Sequence, residues 1–139
     1  MDLTDPQLHE LFKRARTIAV VGMSPNEARP SHYVAQYMIE RGYTIFPVNP
    51  LHAEIAGMKC YPDLHSLPQP IDIVNVFRRA EETPPIAQDA VAISARCLWL
   101  QLGIENAEAM RTAAAGGLQT VQDLCIKVEY ARLLEAPLD

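Results

Sequence analysis

The sequence predicts an α/β protein whose single domain is a Rossmann-like, doubly wound parallel sheet of about five strands. Short apolar segments of strand length alternate five times with amphipathic segments of helical length. Glycine, proline and asparagine residues occur at the boundaries between these segments. Parallel strands need crossover connections, and right-handed crossovers place helices on both faces of one sheet.

The size and composition fit this fold class. The chain has 139 residues, of which 49% are hydrophobic and 21% charged, as expected for one globular domain. We assign residues 1–139 to that domain and 17–134 to its core. The net charge of −5 argues against a nucleic-acid binder or a protein attracted to anionic membranes. No segment reads as a secretory signal or reaches the ~18 apolar residues of a membrane span, so we expect a cytoplasmic protein.

The first third of the chain predicts a helix, a strand and a second helix. Thr4 and Gln7 have the spacing of a capping box, which opens the first helix. Thr17–Val21 is a short run rich in β-branched residues and predicts a strand buried on both faces. After the following loop, Ser31 is predicted to cap the second helix, which ends near Arg41.

The middle third predicts two strands around an irregular connection. Tyr43–Val48 is the second strand, and it ends at Asn49-Pro50. Leu51–Pro70 is polar and proline-rich, and we expect irregular structure there with one short helix. Ile71–Phe77 is the third buried strand. Thr83 begins the third helix, because the two prolines that follow it are tolerated in a first turn.

The last third repeats the alternation. Strands are predicted at Arg96–Leu102 and Leu118–Val121. A helix is predicted between them at Asn106–Ala115, and a final helix ends at about Glu135. Trp99 lies in the middle of its strand and is assigned to the core. Asp123 is predicted to cap the final helix.

In open α/β sheets, ligands bind beyond the carboxyl ends of the strands, and the loop Gly22–Ser31 follows the first strand. Gly22 permits a sharp turn, and the first turn of the next helix offers unpaired N–H groups to a phosphate. Ser24 and Ser31 add hydroxyl groups, and Arg29 adds a guanidinium group. We predict a phosphate site here, the alternative being an ordinary strand-to-helix loop.

This loop lacks the signatures of the best-known nucleotide sites. Gly22 is the only glycine of a Gly-x-Gly-x-x-Gly pattern that is present, and the second strand ends in Val48-Asn49-Pro50 rather than in an acid. Both facts argue against a nicotinamide-dependent dehydrogenase. No Gly-Lys-Ser/Thr follows, so the loop is not a Walker A motif. Asn49-Pro50 is either a plain turn or a wall for an adenine ring.

Two further strand ends carry candidate ligand groups. Phe77-Arg78-Arg79 follows the third strand, and the two guanidinium groups suit a polyanion through bidentate contacts. The alternative is that these arginines are exposed and pair with Glu81 and Glu82. Gln101-Leu102-Gly103 either lets a ligand approach the backbone or forms a helix-entry turn.

The candidate catalytic groups form no recognisable set. Of the four histidines, only His32 lies near the predicted cleft, and none pairs with a cysteine or serine in a familiar motif. Cys60, Cys97 and Cys125 are too widely spaced for a disulfide framework or a metal pair. We therefore predict a binding protein that is not an enzyme, with no catalytic residues and no metal site.

Together these motifs resemble the family of small stand-alone coenzyme A (CoA) binding proteins of bacteria and archaea. The resemblance extends from Thr17 to Leu134 and rests on ordered motifs at Val20–Asn26, Arg29–Ser31, Phe46–Pro50, Val74–Arg79 with Pro84-Pro85, Trp99–Gly103 and Asp123–Glu129. The chain is also similar to the CoA-binding domain of the succinyl-CoA synthetase alpha subunit. The phosphorylated histidine of that enzyme lies in a further domain, so the resemblance implies binding without ligase activity.

The resemblance implies a ligand, CoA or an acyl-CoA, held by four strand ends. The residues expected to contact it are Gly22, Met23, Ser24, Pro25, Arg29, Pro30, Ser31, Val48, Asn49, Pro50, Phe77, Arg78, Arg79, Gln101 and Gly103. The family tends to have Asp-Arg-Cys where this chain has Asp123-Leu124-Cys125, and the last loop is therefore left out of the site.

Two other functions compete with a CoA carrier or regulatory module. One is an NAD(P)-binding enzyme or subunit, and the other is a protein-interaction module whose nucleotide site is vestigial. A homodimer or another protein partner is compatible with so small a domain.

Overall fold

Residues 2–135, which the computed structural model describes, form one α/β domain. Its helices are α1 (Asp5–Arg14), α2 (Pro30–Glu40), α3 (Thr83–Ala92), α4 (Ala107–Ala115) and α5 (Ile126–Leu134). Its strands are β1 (Thr17–Val21), β2 (Thr44–Val48), β3 (Glu54–Ile55), β4 (Met58–Lys59), β5 (Ile73–Val76), β6 (Cys97–Leu100) and β7 (Gln119–Val121). Short 3₁₀ turns lie at Leu64–Ser66 and Ala80–Glu82. None of the helices in the described range is long and apolar enough to cross a membrane.

The main sheet has five parallel strands in the order β2-β1-β5-β6-β7. This arrangement confirms the predicted doubly wound fold. The chain moves outward from β1 to β2 on one side and from β5 to β7 on the other. The order therefore reverses between β1 and β5, at the centre of the sheet.

Two hydrophobic cores cover the two faces of the sheet. Alternate residues of β1 divide between them, because side chains along a strand point to opposite faces. Ile18 and Val20 pack under α1, α2 and α5, whereas Ala19 and Val21 pack under α3 and α4. Trp99 is fully buried on the first face, as predicted.

Several local signals work as the sequence predicts. Thr4 and Gln7 form the capping box of α1, each side chain accepting a hydrogen bond from the other residue's backbone N–H. Helix α4 begins one residue after the predicted Asn106, which caps it by accepting a hydrogen bond from the backbone N–H of Ala109. These bonds satisfy donors that the helices cannot satisfy internally.

Two predicted caps are wrong. Helix α2 begins at Pro30 with Arg29 as its N-cap, and the Ser31 hydroxyl instead accepts a hydrogen bond from the backbone N–H of Ser24. Helix α5 has Cys125 as its N-cap, and the Asp123 carboxylate accepts a hydrogen bond from the backbone N–H of Gly103. The Ser31 hydroxyl binds a backbone group of its own loop and the Asp123 carboxylate binds one of a different loop, and neither bond follows from helix-capping spacing.

The connection between β2 and β5 is more ordered than predicted. Within Leu51–Pro70 the chain forms the small antiparallel hairpin β3–β4 in addition to a short 3₁₀ turn. Tyr61 also pairs with the end of β2, since its N–H donates to the carbonyl of Pro47 and its carbonyl accepts from the N–H of Asn49. The predicted strands at 43–48, 71–77, 96–102 and 118–121 each lose one to three terminal residues.

Candidate functional site

The reversal of strand order places two loops side by side at the carboxyl edge of the sheet. Gly22 directly follows β1, and Phe77 directly follows the neighbouring strand β5. The backbone N–H of Gly22 donates to the carbonyl of Val48 on β2, and the N–H of Phe77 donates to the carbonyl of Val21. A crevice opens here because the two chains then leave toward opposite sides of the sheet.

Gly22 is required by both its conformation and its surroundings. Its φ is +87°, in the region that disfavours residues with a side chain. A Cβ atom at this position would lie 2.8 Å from Cδ of Arg78 and 3.1 Å from the carbonyl oxygen of Phe77. The two loops therefore touch through a glycine that has no room for a methyl group.

Hydrogen bonds tie the loop after Gly22 to the start of α2. The Ser31 hydroxyl accepts from the backbone N–H of Ser24 at 2.9 Å. The ring Nδ1 of His32 donates to the carbonyl of Ser24 at 2.9 Å, because a carbonyl can only accept. Met23 is buried in the core and Pro25 is exposed. The buried imidazole of His32 thus holds the loop in shape.

Arg29 stands at the positive end of a helix with no acid to balance it. It is the N-cap residue of α2, the first turn of which contains no acidic residue. Among residues 2–135, no carboxylate lies within 4.0 Å of its guanidinium group. A cation beside the N-terminus of a helix is unfavourable on its own. An anion bound between the Arg29 guanidinium group and the N-terminus of α2 would stabilise both positive charges.

The first cavity at this edge, which we call the α2 cavity, has a volume of about 380 Å³. It brings together predicted residues from three strand ends, with two neighbours that the prediction did not include. Its lining consists of Gly22, Ser24, Arg29, Pro30, Ser31, Phe77, Gln101, Leu102 and Ile104.

A second cavity, the α3 cavity, is lined by Arg78, whose side chain lies against Gly22 of the α2 cavity. Its volume is about 260 Å³, and it is lined by Val21, Val48, Pro50, Pro62, Asp63, Leu64, Arg78, Glu82, Ile86 and Asp89. The prediction found Val48, Pro50 and Arg78 but none of the others. The 3₁₀ turn after Asp63 could have been predicted, because Asp63 caps it by accepting from the backbone N–H of Ser66.

Asn49 lies between the two loops as an internal link. It is 9% exposed, its amide Nδ2 donates to the carbonyl of Met23, and its Oδ1 accepts from the N–H of Leu51. Both polar ends of its side chain are therefore occupied. Asn49 positions the loops after β1 and β2 relative to each other.

Arg78 and Arg79 pair with acids on the adjoining turn, as the alternative interpretation stated. Arg78 donates to Glu82 at 2.8 Å, whereas the Arg79 side chain is 78% exposed and lies 3.5 Å from Glu82 and 3.7 Å from Glu81. Arg78 is also held over Gly22. Arg78 thus lines the α3 cavity and lies against Gly22 of the α2 cavity, whereas Arg79 lines neither.

The Arg78–Glu82 pair is expected to make stability depend on pH in the acid range. The hydrogen bond from Arg78 lowers the pKa of Glu82 from an ordinary 4.5 to about 2. A depressed carboxyl pKa contributes stability above the unfolded value, and this contribution is lost as pH falls toward the folded value. The stability advantage of the wild type over Glu82→Gln should therefore shrink between pH 4.5 and pH 2, as measured by urea unfolding.

The matched control for this prediction is Glu81→Gln. The Glu81 side chain is 71% exposed, and its one contact to Arg79 is 3.7 Å long. The difference in unfolding free energy between Glu81→Gln and the wild type should stay nearly constant over the same pH interval. A constant difference for Glu82→Gln as well would contradict the assigned pair.

The remaining predicted residues lie at the end of β6. Gln101 is 4% exposed and lines the α2 cavity. Gly103, with φ +87°, donates its backbone N–H to Asp123 and lies outside both cavities. Leu102, between them, is 63% exposed.

A cavity larger than these two lies elsewhere in the described residues. Its volume is about 480 Å³, and it is bordered by the carboxylates of Asp2, Asp5, Glu105, Asp123 and Glu129. Its one arginine, Arg132, is already paired with Asp5 and Glu129. A polyanion would be repelled there, so the smaller cavities at the carboxyl edge are the better candidates.

The fold and the paired cavities define a nucleotide-type binding domain of the doubly wound class. Residues 16–131 match the family model described as a CoA binding domain. The chain therefore belongs to the CoA-binding domain family, which confirms the resemblance noted in its sequence.

Relatives of two kinds share this domain. The chain is 42% identical over 125 residues to the Bacillus subtilis "Uncharacterized protein YneT", covering 90% of this chain and 93% of that protein. A solved structure of a hypothetical protein from Pyrococcus horikoshii OT3 is 36% identical, with a TM-score of 0.92 over 95% of this chain and 93% of that one. The ADP-forming acetate–CoA ligase I of Archaeoglobus fulgidus is 28% identical over 123 residues, which cover 80% of this chain but 18% of the ligase.

Proposed function

We propose that this protein binds CoA or an acyl-CoA at the carboxyl edge of its sheet and acts as a non-catalytic carrier or regulatory module in the cytosol. The observation that carries the proposal is the α2 cavity of a CoA-binding-family domain, in which Arg29 stands unpaired by acid at the N-terminus of α2. A pyrophosphate supplies the anion that this arrangement needs.

The proposal assigns the parts of CoA to the two cavities by their chemistry. The pyrophosphate lies against Gly22, Ser24 and Ser31 and pairs with Arg29. The adenine ring enters the α3 cavity, where Val48 and Pro50 offer an apolar wall. Arg78, which lines the α3 cavity, pairs with the 3′-phosphate, and Phe77 and Gln101 meet the pantetheine arm.

The non-catalytic part of the proposal is supported by how the nearby polar groups are used. The imidazole of His32 faces the Ser24 carbonyl, and the side chain of Asn49 bridges two loops. The Cys60 thiol is buried, and burial raises its pKa, which disfavours the reactive thiolate. These groups shape the cleft instead of facing a reacting atom.

A titration panel tests the proposal directly. We expect CoA and acetyl-CoA to bind at least about tenfold more tightly than NAD, NADP or ATP, because only CoA has both an arm and a 3′-phosphate. Isothermal titration calorimetry of the full chain measures all five affinities. Tightest binding of NAD or NADP would replace the proposal with a nicotinamide-dependent function. Binding of none would favour a protein-interaction module.

A further inference from the structure

The side-chain amide of Gln101 is held in one orientation by two donors. Its Oε1 accepts hydrogen bonds from Nδ2 of Asn75 and from the backbone N–H of Ile126, both at 3.2 Å. A backbone N–H can only donate, so the atom that faces Ile126 must be the oxygen. The orientation of the Gln101 amide is thus determined by the protein.

This orientation leaves the Gln101 Nε2 group available at the cavity. Nε2 has no hydrogen-bond partner within residues 2–135, although the residue is 4% exposed. No fully sealed side-chain nitrogen or oxygen of that range lacks a partner, so Nε2 must reach open space. The open space that Gln101 lines is the α2 cavity. A buried donor in this position favours a ligand that brings an acceptor.

The neighbours of Gln101 restrict the kind of acceptor. Leu102 and Ile104 follow β6 with Gln101, and Phe77 follows the neighbouring strand β5, whereas Arg29, Ser24 and Ser31 line the cavity from the side of β1 and α2. A neutral carbonyl carried on a largely apolar chain suits the Gln101 side, whereas phosphates suit the Arg29 side. The pantetheine arm of CoA has this composition.

The spacing of the strands decides which carbonyl is involved. Strand β5 lies between β1 and β6, so Gln101 stands two strand spacings, or about 10 Å, from the loop after β1. An extended chain advances about 3.5 Å for every three bonds. Measured from the pyrophosphate, the first amide carbonyl of the arm then lies at about 6 Å, the second at about 10 Å and an acyl thioester at about 16 Å.

We infer that Gln101 recognises the pantetheine arm by donating a hydrogen bond from Nε2 to its second amide carbonyl. The inference rests on the proposed function, since it assumes that the pyrophosphate lies at the loop after β1. It makes Gln101 the residue that selects ligands with this arm over nucleotides that lack it. The second amide carbonyl lies between the pyrophosphate and the sulfur atom. The contact is therefore the same in free CoA and in acyl-CoA.

The variant Gln101→Glu tests the inference with little change in shape. It keeps the oxygen that accepts from Asn75 and Ile126 and replaces the Nε2 donor with an acceptor. CoA affinity should fall about tenfold, whereas adenosine 3′,5′-bisphosphate, which has no arm, should change less than about twofold at 0.5 M salt. The added charge weakens the binding of both ligands, whereas the loss of the donor weakens only that of CoA, so the change in the bisphosphate measures the contribution of the charge.

A ligand-side experiment gives the same test on the unaltered protein, independently of whether the variant folds. A CoA analogue with a methylene group in place of the second amide carbonyl should bind about tenfold more weakly than CoA, and replacement of the first should cost less than about twofold. Equal losses for the two analogues, or equal losses of both ligands in Gln101→Glu, would overturn the inference and leave CoA binding intact. Failure of the unaltered protein to bind CoA would instead refute the proposed function.

Discussion

Replacement of Gly22 by alanine is expected to lower the free energy of unfolding by about 3 kcal/mol and to weaken CoA binding more than about tenfold. The backbone φ of +87° strains any residue with a side chain, at a cost of about 1 to 2 kcal/mol. The new methyl group would also lie 2.8 Å from Cδ of Arg78 and 3.1 Å from the Phe77 carbonyl, and such overpacking costs about 1 to 3 kcal/mol.

Binding is affected because the clash acts at the junction of the two cavities. Displacement of Arg78 or Phe77 would separate the loops after β1 and β5, and both loops contribute to the proposed ligand site. Urea unfolding and calorimetric titration with CoA measure the two effects on the same preparation.

Gly117→Ala is the matched control for this variant. Gly117 has nearly the same φ, +90°, but a Cβ atom there would meet nothing within 4 Å. It also lies outside both cavities. We expect a loss of about 1 kcal/mol from backbone strain alone and unchanged CoA affinity. Equal stability losses in the two variants would show that the close approach at Gly22 has no energetic consequence.

Arg29→Ala is expected to weaken CoA binding about 20-fold with little change in stability. Its guanidinium group makes no ion pair with the rest of residues 2–135, so the substitution breaks no ion pair of the folded protein. The ligand loses a charge-assisted contact to its pyrophosphate. Titrations at 0.05 and 0.5 M salt should show a shallower salt dependence for the variant, because one attraction between charges is gone.

Two variants separate this contact from a general effect of charge. Arg96→Ala removes the same charge at the amino end of β6, where Arg96 lies 3.5 Å from Asp72, and should change CoA affinity less than about twofold at 0.5 M salt. Arg29→Lys keeps the charge but not the bidentate geometry, and should recover part of the affinity. If Arg96→Ala weakens CoA as much as Arg29→Ala, Arg29 has no specific role.

The strands of the main sheet were predictable because each buried strand consists almost entirely of apolar residues that are adjacent in the sequence. Thr17–Val21 is observed at its predicted bounds, since a run of β-branched and small apolar residues ended by glycine has few other uses in a soluble domain. The Thr4–Gln7 capping box and the Asn106 helix start were equally local. In each case the residues that form the contact lie within a few positions of one another.

The site was predictable only in part, because its partners come from distant segments. The prediction recognised Gly22 and Arg29 from the loop after β1, but it did not include Asp63, Leu64 or Ile86. These three residues meet Val48 only through the packing of α3 and the connection after β4. The hairpin β3–β4, with two residues in each strand, was too short to leave a periodic signal.

The sequence by itself determined the class of fold, the order of its elements and the family. Those features follow from hydrophobic periodicity and from motifs that are contiguous in the chain. Only the tertiary structure decided how individual side chains are used. It showed that Ser31 and Asp123 accept hydrogen bonds from backbone groups instead of capping helices, selected the pairing of Arg78 with Glu82 from the two alternatives, and directed the Oε1 atom of Gln101 toward Asn75 and Ile126. Hydrogen-bond partners are chosen by proximity in space, and parallel strands create that proximity between distant segments such as those of Gln101 and Ile126.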